Sequence, residues 1–267
     1  FGTIANMFHN HPVKIDIAGT IESIDKITKD MLYECYNTFY HPSNMLLFIV
    51  GAVDPEQTME LIRNNQSSKS YKEASGIKRK NDVEPKEVEK EKQVIHMNVS
   101  TPKVLVGLKA GNIQLTGAEL LKNELTINLL LDILFGRSSE MYETLYSSGL
   151  IDSTFSYDYT QEQGFGFAMI GGDSSKPDEL AEKIINYLLE KKNQDGINEE
   201  ILTRTKKKKI GGFLRSLNSP EYIANSFTRY AFYNTSLFEI VPILESITLQ
   251  DIQAAAKELI SKERITV

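Results

Sequence analysis

Residues 11–56 read HPVKIDIAGTIESIDKITKDMLYECYNTFYHPSNMLLFIVGAVDPE and carry the clearest fold pattern in the chain. Apolar residues recur at helical spacing over residues 27–39 and predict a helix from about residue 28 to residue 39. After a turn at residues 41–44, the unbroken apolar run at residues 45–50 predicts a buried strand. Asp54 and Pro55 then fit the start of another helix, since aspartate caps helices and proline suits the first turn.

The same arrangement recurs at the end of the chain. The interval from Thr28, which opens the first helix, to Met45, which begins the predicted strand, equals the interval from Thr248 to Ile265. Both copies follow a Glu-Ser-Ile triplet, which lies three residues closer in the second copy. The repeat predicts two related domains about 220 residues apart. On this spacing, we expect roughly 125 residues of the first domain to precede Phe1, which would give it an ordinary domain size.

A charged segment at residues 78–92 divides the chain. It contains six basic and five acidic side chains among only four uncharged ones. Such a segment offers no apolar face, so it predicts a solvated linker. We therefore expect residues 1–77 to be the C-terminal part of a first domain and residues 93–267 to form a second domain.

The second part mixes strands and helices. Strands are predicted at residues 93–99, 103–108, 154–159, 165–170 and 265–267, with a turn near Gly164. Helices are predicted at about residues 116–135, 138–146, 178–192, 198–217, 220–233 and 248–261. The expected class is α+β, with two layers: an antiparallel or mixed sheet backed by helices.

Composition restricts the partners. The chain has 267 residues, a net charge of −6 and 41% hydrophobic residues. It lacks the basic excess of nucleic-acid binders and any apolar run near the roughly 18–20 residues of a membrane span. With Cys35 as its one cysteine, it can form no internal disulfide, which fits a reducing compartment. We expect no nucleic-acid partner, no membrane span and a cytoplasmic location.

Candidate chemical groups are few. None of the motifs H-x-x-E-H, H-E-x-x-H and C-x-x-C occurs, so no metal site is predicted in this chain. Cys35 lies on the apolar stripe of its helix and is predicted to be buried. Gly171 and Gly172 are interpreted as sites of close backbone approach. The basic run at residues 204–209 favours a solvated helix, with contact to an anion or a peptide carboxylate as the alternative.

Residues 11–56 closely resemble the second half of the catalytic domain in the pitrilysin/insulinase superfamily. These are zinc metallopeptidases with an inverted motif, related to mitochondrial processing peptidase. The resemblance rests on the H-P-x-x-x-x-x-x-G-T loop at residues 11–20, on Phe39-Tyr40, and on HPSNM at residues 41–45. FGRSSEMYETLYSSGLIDSTFSYDY at residues 135–159 and SPEYIANSFTRYAF at residues 219–232 are similar to a bacterial branch.

The resemblance implies paired homologous domains that close around a peptide. It implies a zinc cofactor in the parent protein, held by the histidines of H-x-x-E-H and a glutamate, all upstream of Phe1. The resemblance therefore implies no zinc ligand and no catalytic residue in this chain. The second domain of the family is noncatalytic, and many members use an Arg and a Tyr there to hold the substrate. Tyr146 occupies the Arg position and Asp152 falls near the Tyr position, so the usual pair is absent. The candidate substrate-binding residues are Arg137, Tyr146, Tyr157 and Tyr159.

Two functions follow from the resemblance. The first is the C-terminal portion of a zinc-dependent processing peptidase, which encloses and cleaves peptides, with this chain inactive alone. The alternative is a noncatalytic chamber subunit of the same superfamily. The expected partners are a peptide substrate, the N-terminal half-domain of the same protein, and a second copy or a paralogous subunit.

Overall fold

The computed structural model describes residues 1–71, 76–78, 80, 83–192 and 197–267. None of the helices in these ranges combines the length and the apolar character needed to cross a membrane. The described helices are α1 (Gly2–Met7), α2 (Ile21–Ile24), α3 (Lys29–Phe39), α4 (Pro55–Ser67), α5 (Gly117–Phe135), α6 (Glu140–Ser147), α7 (Pro177–Lys191), α8 (Glu199–Ser216), α9 (Pro220–Phe232), α10 (Ile240–Ser246) and α11 (Leu249–Leu259). The described strands are β1 (Lys103–Lys109), β2 (Ser156–Glu162), β3 (Phe165–Asp173) and β4 (Ile265–Thr266).

The strands form one antiparallel sheet in the order β2-β3-β1-β4. The predicted hairpin is confirmed: β2 and β3 are joined through Gly164, whose φ of 98° is open to glycine and unfavourable for other residues. The α+β class with helices backing a sheet is confirmed as well. Residues 93–99, predicted as a strand, form none.

The pleat of the sheet sends alternate residues into two apolar clusters. Val106 on β1, Tyr159 on β2 and Ile170 on β3 face the main core, which also contains the buried side of α5. Phe167 on β3 faces the opposite side and packs with Phe8, among other residues. The sheet therefore separates a helical layer from a smaller cluster built around α1.

The repeat seen in the sequence is a repeat of structure. Helices α3 and α11 are equal in length, and their first residues, Lys29 and Leu249, are separated by the same offset as Thr28 and Thr248. These two threonines cap the helices by accepting a backbone N–H, and a short 3-10 helix follows each one, at residues 42–44 and 262–264. Equal lengths and caps at a constant offset support the prediction of two related units.

The apolar face of the first copy is exposed, contrary to prediction. Residues 45–50 form no strand, and Leu47 is 66% exposed. Leu32 on α3 is exposed too, and Cys35, predicted to be buried, is exposed. The physical reason is the lack of a neighbour: in the second copy β4 pairs with β1, whereas no described strand lies beside residues 45–50.

The charged segment is more than a solvated linker. Val88 is buried, and the Glu84 side chain is only 5% exposed, because it forms an ion pair with the buried Lys109. Backbone hydrogen bonds also join Lys90 to Asn6, and others join the segment to residues 263 and 267 near the end of the chain. The expectation that nothing in the segment is buried is therefore wrong, and α1 packs on the sheet of the second part. The division into domains remains a prediction.

Candidate substrate-binding cleft

A cleft of about 630 Å³ lies where the α5–α6 junction, the start of β2 and the middle of α8 meet. The junction is short, because α5 ends at Phe135 and the Ser139 hydroxyl already caps α6 by accepting the N–H of Tyr142. The cleft thus combines an aromatic wall with two cationic side chains. Its main lining residues are Phe135, Tyr142, Phe155, Tyr157, Arg137 and Lys208.

A buried carboxylate contacts two of the residues that line the cleft. Asp132 on α5 is buried, and its Oδ1 accepts hydrogen bonds from the Tyr157 hydroxyl at 2.5 Å and from Lys208 Nζ at 2.8 Å. Burial raises the pKa of Tyr157, and the hydrogen bond and negative charge of Asp132 raise it further. Tyr157 therefore stays protonated and donates to Asp132, while the Lys208 ammonium compensates the carboxylate charge.

Arg137 stands beside this group on the α5–α6 junction. It is exposed, and no described carboxylate lies within ion-pair distance of its guanidinium. The preceding residue, Gly136, packs closely on the end of α5, because a Cβ there would lie 2.7 Å from Asp132 Oδ1 and would crowd the Asp132 carbonyl oxygen. The described part of the chain therefore leaves the hydrogen-bond donors of this exposed guanidinium available.

The structure brings together two of the four predicted site residues. Arg137 and Tyr157 line the same cleft. Tyr146 is exposed and stacks on Tyr142, at 6.0 Å between ring centroids, next to the cleft. Tyr159 is 3% exposed and donates its hydroxyl to the Gln161 side chain, so it is a residue of the core. Side chains two positions apart lie on the same face of a strand, so Tyr157 and Tyr159 both face the core, and Tyr159 is the more deeply buried of the two.

Sequence reasoning missed Asp132 and Lys208. They are 76 residues apart and meet only because α8 packs against α5. One signal existed: Asp132 interrupts the apolar run at residues 129–135 (LLLDILF), and a charge in such a run needs a partner.

The lysines of the basic run at residues 204–209 contact different parts of the molecule. Lys208 turns towards the cleft, whereas Lys206 donates its ammonium to the carbonyl oxygens of Glu245 and Ile247 at 2.8 and 2.7 Å. Those carbonyls lie at the end of α10, where the helix dipole is negative and carbonyls lack helical partners. The prediction of a solvated helix does not hold for Lys206, which is partly buried, whereas Lys208 pairs with Asp132 and stays exposed, because the run covers more than one face of α8.

The capping role of Lys206 predicts a measurable stability loss. Lys206→Met should lower the free energy of unfolding by about 1–2 kcal/mol, since two charge-assisted hydrogen bonds to α10 are lost. Urea unfolding followed by circular dichroism measures this. Lys207→Met, on the exposed side of the same helix, is the matched control and should change stability by less than about 0.5 kcal/mol. Equal effects of the two substitutions would contradict the capping role.

Zinc does not fit the described part of the chain. No three histidine, cysteine, aspartate or glutamate side chains come close enough there to hold a metal ion. His11 Nδ1, for instance, already accepts the N–H of Val13.

Comparisons with known proteins find similar sequences and similar structures. The sequence profile described as Peptidase M16 inactive domain matches residues 26–209. Over all 267 residues the chain is 57% identical to YmfH of Bacillus subtilis (strain 168), an uncharacterized zinc protease, and covers 62% of it. A protein from Alicyclobacillus acidocaldarius, described as an M16-like peptidase, aligns with a TM-score of 0.94 at 35% identity, over 99% of this chain and 63% of that one. A Helicobacter pylori protease shares the fold, with a TM-score of 0.82 at 21% identity, over 100% of this chain and 64% of that one.

The chain thus spans less than two thirds of the length of these relatives. The matched profile runs across the charged segment at residues 78–92 and covers most of the chain. It confirms the resemblance that residues 11–56 indicated. The chain belongs to the peptidase M16 family.

Proposed function

We propose that the protein containing this chain is a zinc-dependent metalloendopeptidase that processes peptides, and that this chain encloses the peptide without holding the zinc ion. The observation that carries the proposal is the 57% identity, across the whole chain, to a zinc protease. The matched profile is named for an inactive domain, which supports a noncatalytic role for this part. The zinc ligands then belong to residues outside this chain.

Arg137 and Tyr157 are the residues that we propose to hold the peptide. The exposed guanidinium can donate to peptide carbonyls through several N–H groups at once. The Tyr157 hydroxyl already donates to Asp132, so its role towards a peptide is to accept an N–H. Tyr146 offers an exposed aromatic face beside the cleft, and Tyr159 supports β2 from the core.

The decisive experiment compares the complete protein with this chain alone. The complete protein should cleave an internally quenched peptide, lose activity when a chelator removes its metal, and regain activity with added zinc. This chain alone should show no cleavage and no stoichiometric zinc by elemental analysis. Chelator-sensitive cleavage by this chain alone would overturn the assignment of the zinc ligands.

A second function is a noncatalytic chamber subunit. The inactive-domain profile favours it, because such a profile is compatible with a protein that only encloses substrate. In that case the complete protein is inactive both alone and as a homodimer. Cleavage then appears only when it is mixed with a paralogous subunit that carries the zinc site.

We further propose a cytoplasmic location. One cysteine in 267 residues favours a reducing compartment over one where disulfides stabilise proteins. Cell fractionation with an antibody against the chain tests this directly, and recovery outside the cytoplasmic fraction would contradict it.

A further inference from the structure

We propose that the Arg137–Lys208 cleft binds a peptide carboxylate that lies beside an apolar side chain. This inference rests on the proposed function, and it names the class of peptide that the site selects. The carboxylate can come from an aspartate or glutamate side chain or from the carboxyl terminus of the peptide.

The charge of the cleft fits a singly charged anion. Arg137 and Lys208 contribute two positive charges to the lining, and Asp132 beneath them contributes one negative charge. The remaining surplus of one positive charge matches a carboxylate. A phosphate group would bring a charge of about −1.5 to −2 and would exceed this surplus.

The donors are already oriented for such a ligand. Asp132 holds Lys208 through both carboxylate oxygens, at 2.8 and 3.1 Å, which fixes an ammonium whose side chain is 61% exposed. An ammonium has three N–H donors, so Lys208 can bind Asp132 and a second carboxylate together. Arg137 adds a planar guanidinium that matches the two oxygens of a carboxylate.

The walls of the cleft are suited to an apolar neighbour. Phe155 and Tyr142 meet edge to face, with 6.0 Å between ring centroids, and Phe135 adds a third aromatic ring to the lining. A volume of about 630 Å³ lies within the roughly 300–1,000 Å³ typical of ligand pockets. This is room for two adjacent side chains, one apolar and one acidic.

Four peptides that share one parent sequence, each labelled with a fluorophore that carries no carboxylate, test the proposal. They carry a central Phe-Asp or Phe-Asn pair, each with a free or an amidated carboxyl terminus. Binding is measured by fluorescence anisotropy with the complete protein in a chelator, which prevents cleavage. Arg137→Gln should raise about tenfold the Kd of each peptide that carries the recognised carboxylate, because a charge-assisted pair is lost. It should raise the Kd of the Phe-Asn amide peptide far less, because that peptide offers Arg137 only backbone carbonyls and no carboxylate.

The controls separate the possible outcomes. Arg204→Gln makes the same change at an exposed position of α8 outside the cleft, and it should leave every Kd unchanged. The peptide whose affinity falls when its carboxylate is removed identifies the source, side chain or terminus. Equal Kd values for all four peptides, or for wild type and Arg137→Gln, would overturn the site. If the peptides bind as expected but the complete protein with zinc cleaves nothing, the proposed peptidase function fails and the carboxylate site stands.

Discussion

Replacing Glu84 with glutamine is expected to lower the free energy of unfolding by about 3–5 kcal/mol, the usual cost of breaking a buried ion pair from one side. The Glu84 carboxylate accepts the backbone N–H groups of His9, Asn10 and His11 at 2.7–2.8 Å, and Lys109 Nζ lies 2.6 Å away. The Lys109 side chain is only 3% exposed. An amide would leave the ammonium without a counter-charge and turn an N–H donor towards backbone N–H groups.

Two variants control this experiment, which is read from urea unfolding of the complete protein. Glu89→Gln makes the same change in the partly exposed pair with Lys14, and it should cost less than about 1 kcal/mol. Glu84→Gln combined with Lys109→Met removes both charges and should recover more than half of the loss. A Glu84→Gln protein as stable as the Glu89→Gln protein would contradict the burial argument.

The same pair predicts a dependence on pH. Burial alone would raise the pKa of Glu84, but the hydrogen bonds from Lys109 and the three backbone amides outweigh it and lower the pKa from 4.5 to about 2. A lowered pKa means that the stabilisation is complete above pH 4.5 and is lost as pH falls towards 2. The stability difference between wild type and Glu84→Gln should therefore stay constant above about pH 5 and shrink as the pH falls from about 5 towards 2. A constant difference over this range would contradict the assignment.

Gly171→Ala is expected to lower the free energy of unfolding by about 2–5 kcal/mol, from overpacking and backbone strain together. Gly171 lies in β3, between Leu105 on β1 and Ser156 on β2, with φ at 155°. A Cβ there would run into the backbone carbonyl oxygen of Val104. The central ladder would have to separate, because backbone atoms cannot move aside as a flexible side chain can.

Gly211→Ala is the matched control for this substitution. Gly211 lies in α8, and a methyl group on its Cα would meet no atom of another element within 4 Å. There the same change should stabilise the protein by about 0.5–1 kcal/mol, because alanine favours a helix and restricts the unfolded chain. Opposite signs in thermal unfolding would support close approach at Gly171, and a similar small effect at both positions would contradict it.

The amino-acid sequence by itself determined the local structure. Thr28, Thr248 and Ser219 mark helix starts because each accepts a backbone N–H that the first turn leaves unpaired. The repeat was readable for the same reason, since caps and apolar spacing act over a few residues. Close backbone approach at Gly171 and Gly172 was predicted because glycine lacks a side chain, and the β-sheet confirms it.

Only the tertiary structure decided which faces and charges are buried. Residues 45–50 have the composition of a buried strand, yet they are largely exposed, because burial depends on a neighbouring strand that local sequence cannot supply. Glu84 looks like one solvated charge among many until β1 brings Lys109 to it. The cleft arises in the same way, since Asp132 and Lys208 meet through the packing of α5 and α8. These two ion pairs join residues that are distant in the chain, so their partners become known only when the elements are packed.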